Sequence, residues 1–209
     1  TFTTTKPWRI TADTALDSLT HAIEAYVSRK ASPYTDAFAL AAMPAITKHV
    51  LTACKEPKNA AARQSLMLAA SQAGMAFSNA SVALVHGMSR PIGAHFHVAH
   101  GLSNAMILPY VTKFSIDTSE ARYAKCARVM DWADEHDSNA SACEKLVENL
   151  QILNSDLKVP SPRSLSLIGD ANIFDLMATQ AIASGSPQNN PRIPTQAEIM
   201  QLYHDIWLD

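Results

Sequence analysis

Helix signals recur along almost the whole chain, whereas the strict alternation of apolar and polar residues that marks β-strands is missing over any useful length. Ser32 and Pro33 form a typical helix cap and first-turn pair, and they predict a helix over residues 33–53 that Pro44 would kink. The same periodicity predicts helices over residues 17–26, 59–79, 101–114, 119–132, 138–153, 173–183 and 195–207. This pattern predicts an all-α domain without internal repeats.

Local sequence features refine these helices. Two capping boxes are predicted, each a Ser or Thr followed three residues later by Glu: Ser141 with Glu144, and Thr195 with Glu198. The helix over 59–79 is predicted to be mostly buried, because it is rich in alanine and carries Leu68 and Met75 at helical spacing. Residues 158–169 are predicted to be a connector, and residues 184–194 form the most turn-rich stretch.

Composition argues against several classes of protein. The chain has 17 basic and 19 acidic residues and a net charge of −2, so it offers neither a basic stripe for nucleic acid nor a polybasic patch for a membrane. No uninterrupted apolar run reaches the roughly 18–20 residues of a membrane span, and the start has no apolar signal region. Three widely spaced cysteines predict neither disulfides nor a thiolate zinc site. We therefore expect a soluble, cytoplasmic protein.

Histidines are concentrated in one segment. HGMSRPIGAHFHVAH, residues 86–100, contains four of them, and His21 lies upstream, four residues after Asp17. On a helix, residues four apart share a face with Cβ atoms about 5–6 Å apart. That separation suits two ligands of one cation, because metal–nitrogen and metal–oxygen bonds are about 2.0–2.2 Å long. Spacing alone leaves open which later histidines complete such a site, and whether His21 is a core residue with Asp17 as its surface partner.

Three segments carry a family resemblance: DSLTHAIEAY, then AFSNASVALVHGMSRPIGAHFHVAHGLSNAMILP, then NNPRIPT. They are similar to the iron-containing, or group III, alcohol dehydrogenases, in the C-terminal domain that carries the metal. The resemblance runs from about residue 11 to the end and implies a helical, bundle-like domain of the dehydroquinate synthase-like type. It also implies the metal ligands Asp17, His21, His86 and His100.

The resemblance implies a function and its cofactors. Relatives interconvert small alcohols with aldehydes or ketones, using Fe²⁺ or Zn²⁺ as a Lewis acid and NAD(P) as the hydride carrier. They bind NAD(P) through an N-terminal domain with a glycine-rich turn, and the six glycines of this chain are too far apart to form one. We therefore expect residues 1–209 to be one domain, the C-terminal half of a two-domain enzyme, inactive alone and oligomeric in full-length form.

Two further residues are candidates for the substrate site. Many relatives have a second histidine four residues after the first downstream ligand, where this chain has Arg90. Arg90 is interpreted either as recognising a substrate carboxylate or cofactor phosphate, or as forming a salt bridge, for instance to Glu24. Pro91 predicts that the helix carrying His86 ends there. Phe77 corresponds to a position that lines the substrate pocket in relatives, and it could equally be a core aromatic residue.

The remaining histidines are not expected to bind the metal. The family register leaves His95 and His97 outside the ligand set, and three others lack partners at ligand spacing: His49, His136 and His204. Two alternatives to the dehydrogenase stay open at this point. One is an all-α metal phosphohydrolase built on a His-Asp pair, either His136 with Asp137 or His204 with Asp205. The other is a non-catalytic helical module.

Overall fold

The computed structural model describes residues 3–208. In that range it contains nine α-helices and two short 3₁₀ turns and no strand, so the predicted all-α class is confirmed. The helices are α1 (Trp8–Val27), α2 (Pro33–Lys55), α3 (Ala60–Ala80), α4 (Leu84–Phe96), α5 (His100–Ser115), α6 (Glu120–Val129), α7 (Asn139–Asp156), α8 (Ala171–Ala183) and α9 (Gln196–Leu208). The 3₁₀ turns are Ile116–Thr118 and Ser186–Asn189.

The α1 helix lies at the centre of the domain and packs against α2, α3 and α5. Further pairs form around it: α4 packs against α5 and α8, α6 against α7, and α8 against α9. Side chains are buried on α1 over most of its length, including Leu16, Leu19 and Ile23. A helix with so wide a buried surface is stabilised mainly by tertiary packing, which also fixes the positions of the polar residues among its buried ones.

Two of the three predicted caps are confirmed. Ser32 accepts a hydrogen bond from the Thr35 amide and Pro33 begins α2. The capping box predicted at the start of α9 also forms, since Thr195 N donates to Glu198 Oε2 at 2.8 Å. The box predicted at Ser141 is wrong, because α7 begins one turn earlier, where Ser138 Oγ accepts from the Ser141 amide at 3.1 Å.

The prediction that α3 is mostly buried is wrong for two of its large apolar residues, whereas Leu66 and Phe77 are partly buried against the core. Leu68 is 60% exposed and Met75 is 44% exposed. The buried face consists instead of small residues, among them Ala69, Ala73 and Ala76. Small side chains let α3 approach α1 and α2 closely, which turns the bulkier residues toward solvent.

The helix that carries His86 does not end at Pro91, as predicted, but continues to Phe96. Proline inside a helix costs about 3 kcal/mol, because it removes a hydrogen bond and crowds the carbonyl four residues earlier. Both Pro91 and Ile92 are buried, so packing against α5 and α8 offsets that cost. The α2 helix likewise runs without interruption through Pro44.

Two expectations from composition concern the cysteines and membrane spans. Cys54, Cys126 and Cys143 are all free and buried, as expected. Burial raises the pKa of each thiol. Within residues 3–208, α2 has the length and mean hydropathy of a spanning helix, although it is not an uninterrupted apolar run. The core helix of a soluble protein meets the same criteria, and α2 packs against α1 and α3.

Candidate metal centre

Three helices bring the four proposed ligands together. Asp17 and His21 lie one turn apart on α1, His86 lies in the first turn of α4, and His100 is the first residue of α5. The turn between α4 and α5 begins at His97, which adopts a left-handed conformation with φ of 56°. This reversal brings the start of α5 back to the side of α1 that carries Asp17.

Close contact between α5 and α1 depends on Gly101. A Cβ atom at this position would lie 2.2 Å from the Asp13 carbonyl oxygen and 3.2 Å from Asp17 Cβ. Real side chains do not tolerate the first of these distances, so only glycine allows the two backbones to approach this far. The approach places His100 and Asn104, one turn later on α5, against Asp17.

The distances between donor atoms suit a single small cation. Asp17 Oδ1 lies 3.5 Å from His86 Nε2, 3.5 Å from His100 Nε2 and 3.9 Å from His21 Nε2. A tetrahedral ion with bonds of about 2.1 Å has ligand atoms roughly 3.4 Å apart. Donor atoms of Asp17, His21 and His86 all lie within 4.8 Å of one another, and His100 joins them through the same Asp17 oxygen. The arrangement therefore fits a divalent metal.

The ligands differ sharply in solvent exposure, so one side of the site is buried and the other is open to solvent. The His86 side chain is 3% exposed, whereas the His100 side chain is 48% exposed. His86 thus forms the floor of the site and His100 its solvent side. A cation or substrate approaches from the side of His100.

Glu24 holds His86 from behind, and the sequence analysis missed this role. The carboxylate is buried, and its Oε2 lies 2.6 Å from His86 Nδ1, while Oε1 accepts from the Val85 amide at 2.6 Å. A carboxylate on Nδ1 fixes the proton there and leaves Nε2 free to bind a metal. The sequence did carry a signal: Glu24 lies seven residues after Asp17, two helical turns along the same face.

The pKa values show that the site favours positive charge at His86. Burial opposes protonation of this ring, but the charges of Glu24 and Asp17 outweigh it and raise the pKa of His86 to about 9. Burial lowers the pKa of His21 to about 4 despite the nearby Asp17 charge. Burial also opposes ionisation of Asp17, yet the surrounding imidazoles hold its pKa below the usual range. The negative charges of the two carboxylates around this buried imidazole can be neutralised either by a proton on the ring or by a bound metal cation.

Asn104 covers another side of the donor set. Its Nδ2 donates to Asp17 Oδ1 at 2.7 Å and lies 3.2 Å from both His86 Nε2 and His100 Nε2. The side chain is fully buried, and its Oδ1 has no hydrogen-bond partner. The amide thus orients the Asp17 carboxylate and keeps water away from one face of the site.

The two candidates for the substrate site lie near the ligands. The Phe77 ring stacks on the imidazole of His21, with ring centroids 4.1 Å apart. The salt bridge suggested between Arg90 and Glu24 is absent, because Glu24 is engaged by His86 and Val85. Arg90 donates instead to Ser186 Oγ at 2.7 Å.

Other histidines lie outside the group around Asp17. His95 Nε2 lies 2.9 Å from Gln180 Oε1, and His97 caps α4. The two His-Asp pairs are on the surface and away from the site: Asp137 forms an ion pair with Lys145, and His204 lies beside Asp205. Nothing about these pairs favours a phosphohydrolase.

Glu24→Gln is expected to weaken metal binding about 10- to 100-fold while leaving the protein folded. A glutamine keeps the shape but has only one acceptor oxygen for the two donors that Glu24 serves. Titration of the chelator-treated protein with Zn²⁺ measures the change. Asp36→Asn is the control, because Asp36 pairs with Arg122 on the outside of α2. Unchanged affinity in Glu24→Gln would show that His86 needs no support from behind.

Comparison with known proteins places this arrangement in a family. Residues 11–207 match the Fe-containing alcohol dehydrogenase family, C-terminal. The NADPH-dependent butanol dehydrogenase of Clostridium saccharobutylicum is 36% identical over 206 residues, which cover 97% of this chain and 52% of that protein. The 1,3-propanediol dehydrogenase of Citrobacter freundii is 33% identical over 198 residues, 95% of this chain and 51% of that protein.

Solved structures agree with the sequence matches. A crystal structure of 1,3-propanediol oxidoreductase superposes with a TM-score of 0.93 at 33% identity, covering 97% of this chain and 53% of that one. The iron-containing alcohol dehydrogenase of Thermococcus thioreducens gives a TM-score of 0.86 at 32% identity, covering 98% and 52%. The chain spans about half the length of the relatives it matches. It belongs to the iron-containing alcohol dehydrogenase family and corresponds to the C-terminal part of its members.

Proposed function

We propose that this chain is the metal-binding catalytic part of an NAD(P)-dependent alcohol dehydrogenase that interconverts small alcohols with aldehydes or ketones. The observation that carries the proposal is the donor set itself. One carboxylate and three imidazoles converge from three helices, with Asp17 Oδ1 3.5 Å from His86 Nε2 and His100 Nε2 and 3.9 Å from His21 Nε2, and one side is open to solvent at His100. Catalytic metal sites differ from structural ones by keeping such an open side.

The proposed reaction transfers a hydride and a proton to a carbonyl group. In the reducing direction, a hydride passes from NAD(P)H to the carbonyl carbon and a proton is added to the carbonyl oxygen, giving the alcohol and NAD(P)⁺. A divalent cation held by Asp17, His21, His86 and His100 would supply Lewis-acid polarisation of that carbonyl. Glu24 keeps the proton of His86 on Nδ1, and Asn104 orients Asp17. The Phe77 ring stacked on His21 supplies an apolar wall for the carbon chain of a substrate.

The ligand types in this site are compatible with two metals. Fe²⁺ and Zn²⁺ both accept imidazole and carboxylate ligands, and we propose that one of them is the native ion. NAD(P) would be bound by a separate nucleotide-binding domain, since the six glycines here form no phosphate-binding turn. We also propose a cytoplasmic homo-oligomer without nucleic-acid or membrane partners, in keeping with the net charge of −2.

Residues 1–209 alone are expected to show no nicotinamide-dependent turnover, whereas a longer polypeptide that includes the nucleotide-binding domain should oxidise NAD(P)H in the presence of an aldehyde. Hydride transfer requires the nicotinamide to be held within about 3–3.5 Å of the reacting carbon, which is the task of the second domain. Absorbance at the nicotinamide band measures the rate in both proteins, each loaded with Fe²⁺ or Zn²⁺.

Controls separate the roles of metal and domain. Removing the metal with a chelator should abolish turnover by the longer polypeptide, and adding the metal back should restore it. Appreciable NADH oxidation by residues 1–209 would show the two-domain hypothesis to be wrong. Full activity of a longer protein that contains no metal would overturn the proposed function.

A further inference from the structure

Among residues 3–208, no acidic side chain forms an ion pair with Arg90. Its guanidinium is exposed, and its Nη1 donates a hydrogen bond to Ser186 Oγ at 2.7 Å. The neutral Ser186 hydroxyl accepts a hydrogen bond from one of the five guanidinium N–H groups, so the other N–H groups are available to a ligand.

The guanidinium is nevertheless held in place. Ser186 is buried and begins the 3₁₀ turn that packs on α4. Packing is close because a Cβ atom at position 87 would lie 2.9 Å from the ring of Pro187, so only Gly87 admits the turn. The other end of the turn is tied down by Asn189, whose Nδ2 donates to the Val82 carbonyl at 3.0 Å. A fixed serine therefore restricts Arg90, and ligand binding would cost less conformational entropy than at a free side chain.

The position of Arg90 is next to the metal site. It lies four residues after His86 on α4, and therefore on the same face one turn further along. His86 is buried and Arg90 is exposed, so Arg90 lies toward solvent from this ligand.

Charge balance indicates what binds there. The carboxylates of Asp17 and Glu24 together carry two negative charges, which a divalent cation neutralises. Arg90 then adds a positive charge at the solvent side of His86, where an anionic ligand bound beside the cation would form a charge-assisted pair with it. A planar guanidinium matches the paired oxygens of a carboxylate, a sulfonate or a phosphate.

We propose that Arg90 recognises an anionic group on the substrate, and that the physiological aldehyde carries such a group a short carbon chain away from its carbonyl. This inference rests on the proposed function and names its substrate class. The alternative anion, the 2′-phosphate of NADP, lies at the far end of the dinucleotide from the nicotinamide. A residue one turn from a metal ligand faces the reacting end, which favours the substrate.

A matched pair of aldehydes tests the proposal in the full-length, metal-loaded enzyme. Butanal and 4-oxobutanoate have the same carbon chain length and differ by the terminal carboxylate. We expect 4-oxobutanoate to be the better substrate, and Arg90→Gln to lower its kcat/KM about 10- to 100-fold more than that of butanal. Arg90→Lys should recover part of the loss, because it restores the charge without the fork. Arg163→Gln, an exposed arginine between α7 and α8, is the control for removing a surface charge.

Binding of succinate gives a readout that does not need turnover. We expect calorimetry to show succinate binding to the metal-loaded full-length enzyme, with a Kd at least tenfold higher in Arg90→Gln. If succinate binding depends on Arg90 but neither aldehyde is reduced, the proposed function fails while the anion site stands. Equal losses on butanal and 4-oxobutanoate, with succinate binding unchanged, would overturn the anion site. Losses confined to NADPH with both aldehydes would assign Arg90 to the cofactor phosphate and overturn the substrate inference.

Discussion

His86→Ala is expected to empty the metal site, reducing metal content from about one ion per chain to well below a tenth. This residue is the least exposed ligand, and its ring is held between Asp17 and Glu24. Its removal takes away a donor atom and also leaves the buried Glu24 without its charged partner. Breaking a buried pair in this way costs about 3–5 kcal/mol, so the unfolding temperature of the metal-free protein should fall as well. Elemental analysis and thermal denaturation measure the two effects.

A second histidine variant distinguishes the effect of losing a metal ligand from the effect of losing any imidazole. His97→Ala removes an exposed histidine that caps α4 and lies three residues before His100. We expect it to retain its metal, although replacing a residue at positive φ could lower its stability slightly. Full metal occupancy in His86→Ala, or an empty site in His97→Ala, would show that the ligand assignment is wrong.

Gly101→Ala is expected to destabilise the fold and weaken metal binding together. The new Cβ atom would lie 2.2 Å from the Asp13 carbonyl oxygen, so α5 and α1 must separate. Overpacking of this kind costs about 1–3 kcal/mol, which exceeds the gain of at most about 1 kcal/mol that alanine brings to a helix. Each kcal/mol lowers the unfolding temperature of a chain of this size by about 2–4 °C. Separation of the helices also moves His100 and Asn104 away from Asp17.

Gly74→Ala is the matched control, because it makes the same substitution on α3 where a Cβ atom would meet nothing within 4 Å. We expect it to stabilise the protein slightly, by up to about 1 kcal/mol, and to leave metal affinity unchanged. Denaturation and Zn²⁺ titration of both variants give the comparison. A neutral effect of Gly101→Ala on both measurements would mean that α5 can shift without disturbing the ligands.

Local sequence patterns predicted the helices well, because each helix signal acts within a few residues. The cap at Ser32 and the box at Thr195 depend only on side chains and amides three positions apart. The pairing of Asp17 with His21 on one helix face also follows from spacing alone. The choice of His86 and His100 to complete the set required the family resemblance, because distances between helices are not encoded in local periodicity.

Features that depend on tertiary packing were not predicted. Pro91 signals the end of a helix, yet burial of α4 against its neighbours carries the helix past it. Hydrophobicity predicts that Leu68 lies inside, but the alanine face of α3 makes the closer contact and turns it outward. The sequence offers Glu24 only as a possible salt-bridge partner of Arg90, one of two alternatives for that arginine. The true partner of Glu24, His86, becomes adjacent only when α4 folds against α1.

The contact between Asp17 and His100 has a consequence for the entropy of the chain. These two residues are separated by all of α2, α3 and α4, yet their donor atoms lie 3.5 Å apart. Bringing the two ends of so long a loop together on folding costs chain entropy, and this cost grows only with the logarithm of the loop length. Any ion held by both ends binds the folded chain and not the unfolded one, so part of its binding free energy becomes folding free energy. Metal occupancy and fold stability are therefore two measures of the same long-range closure.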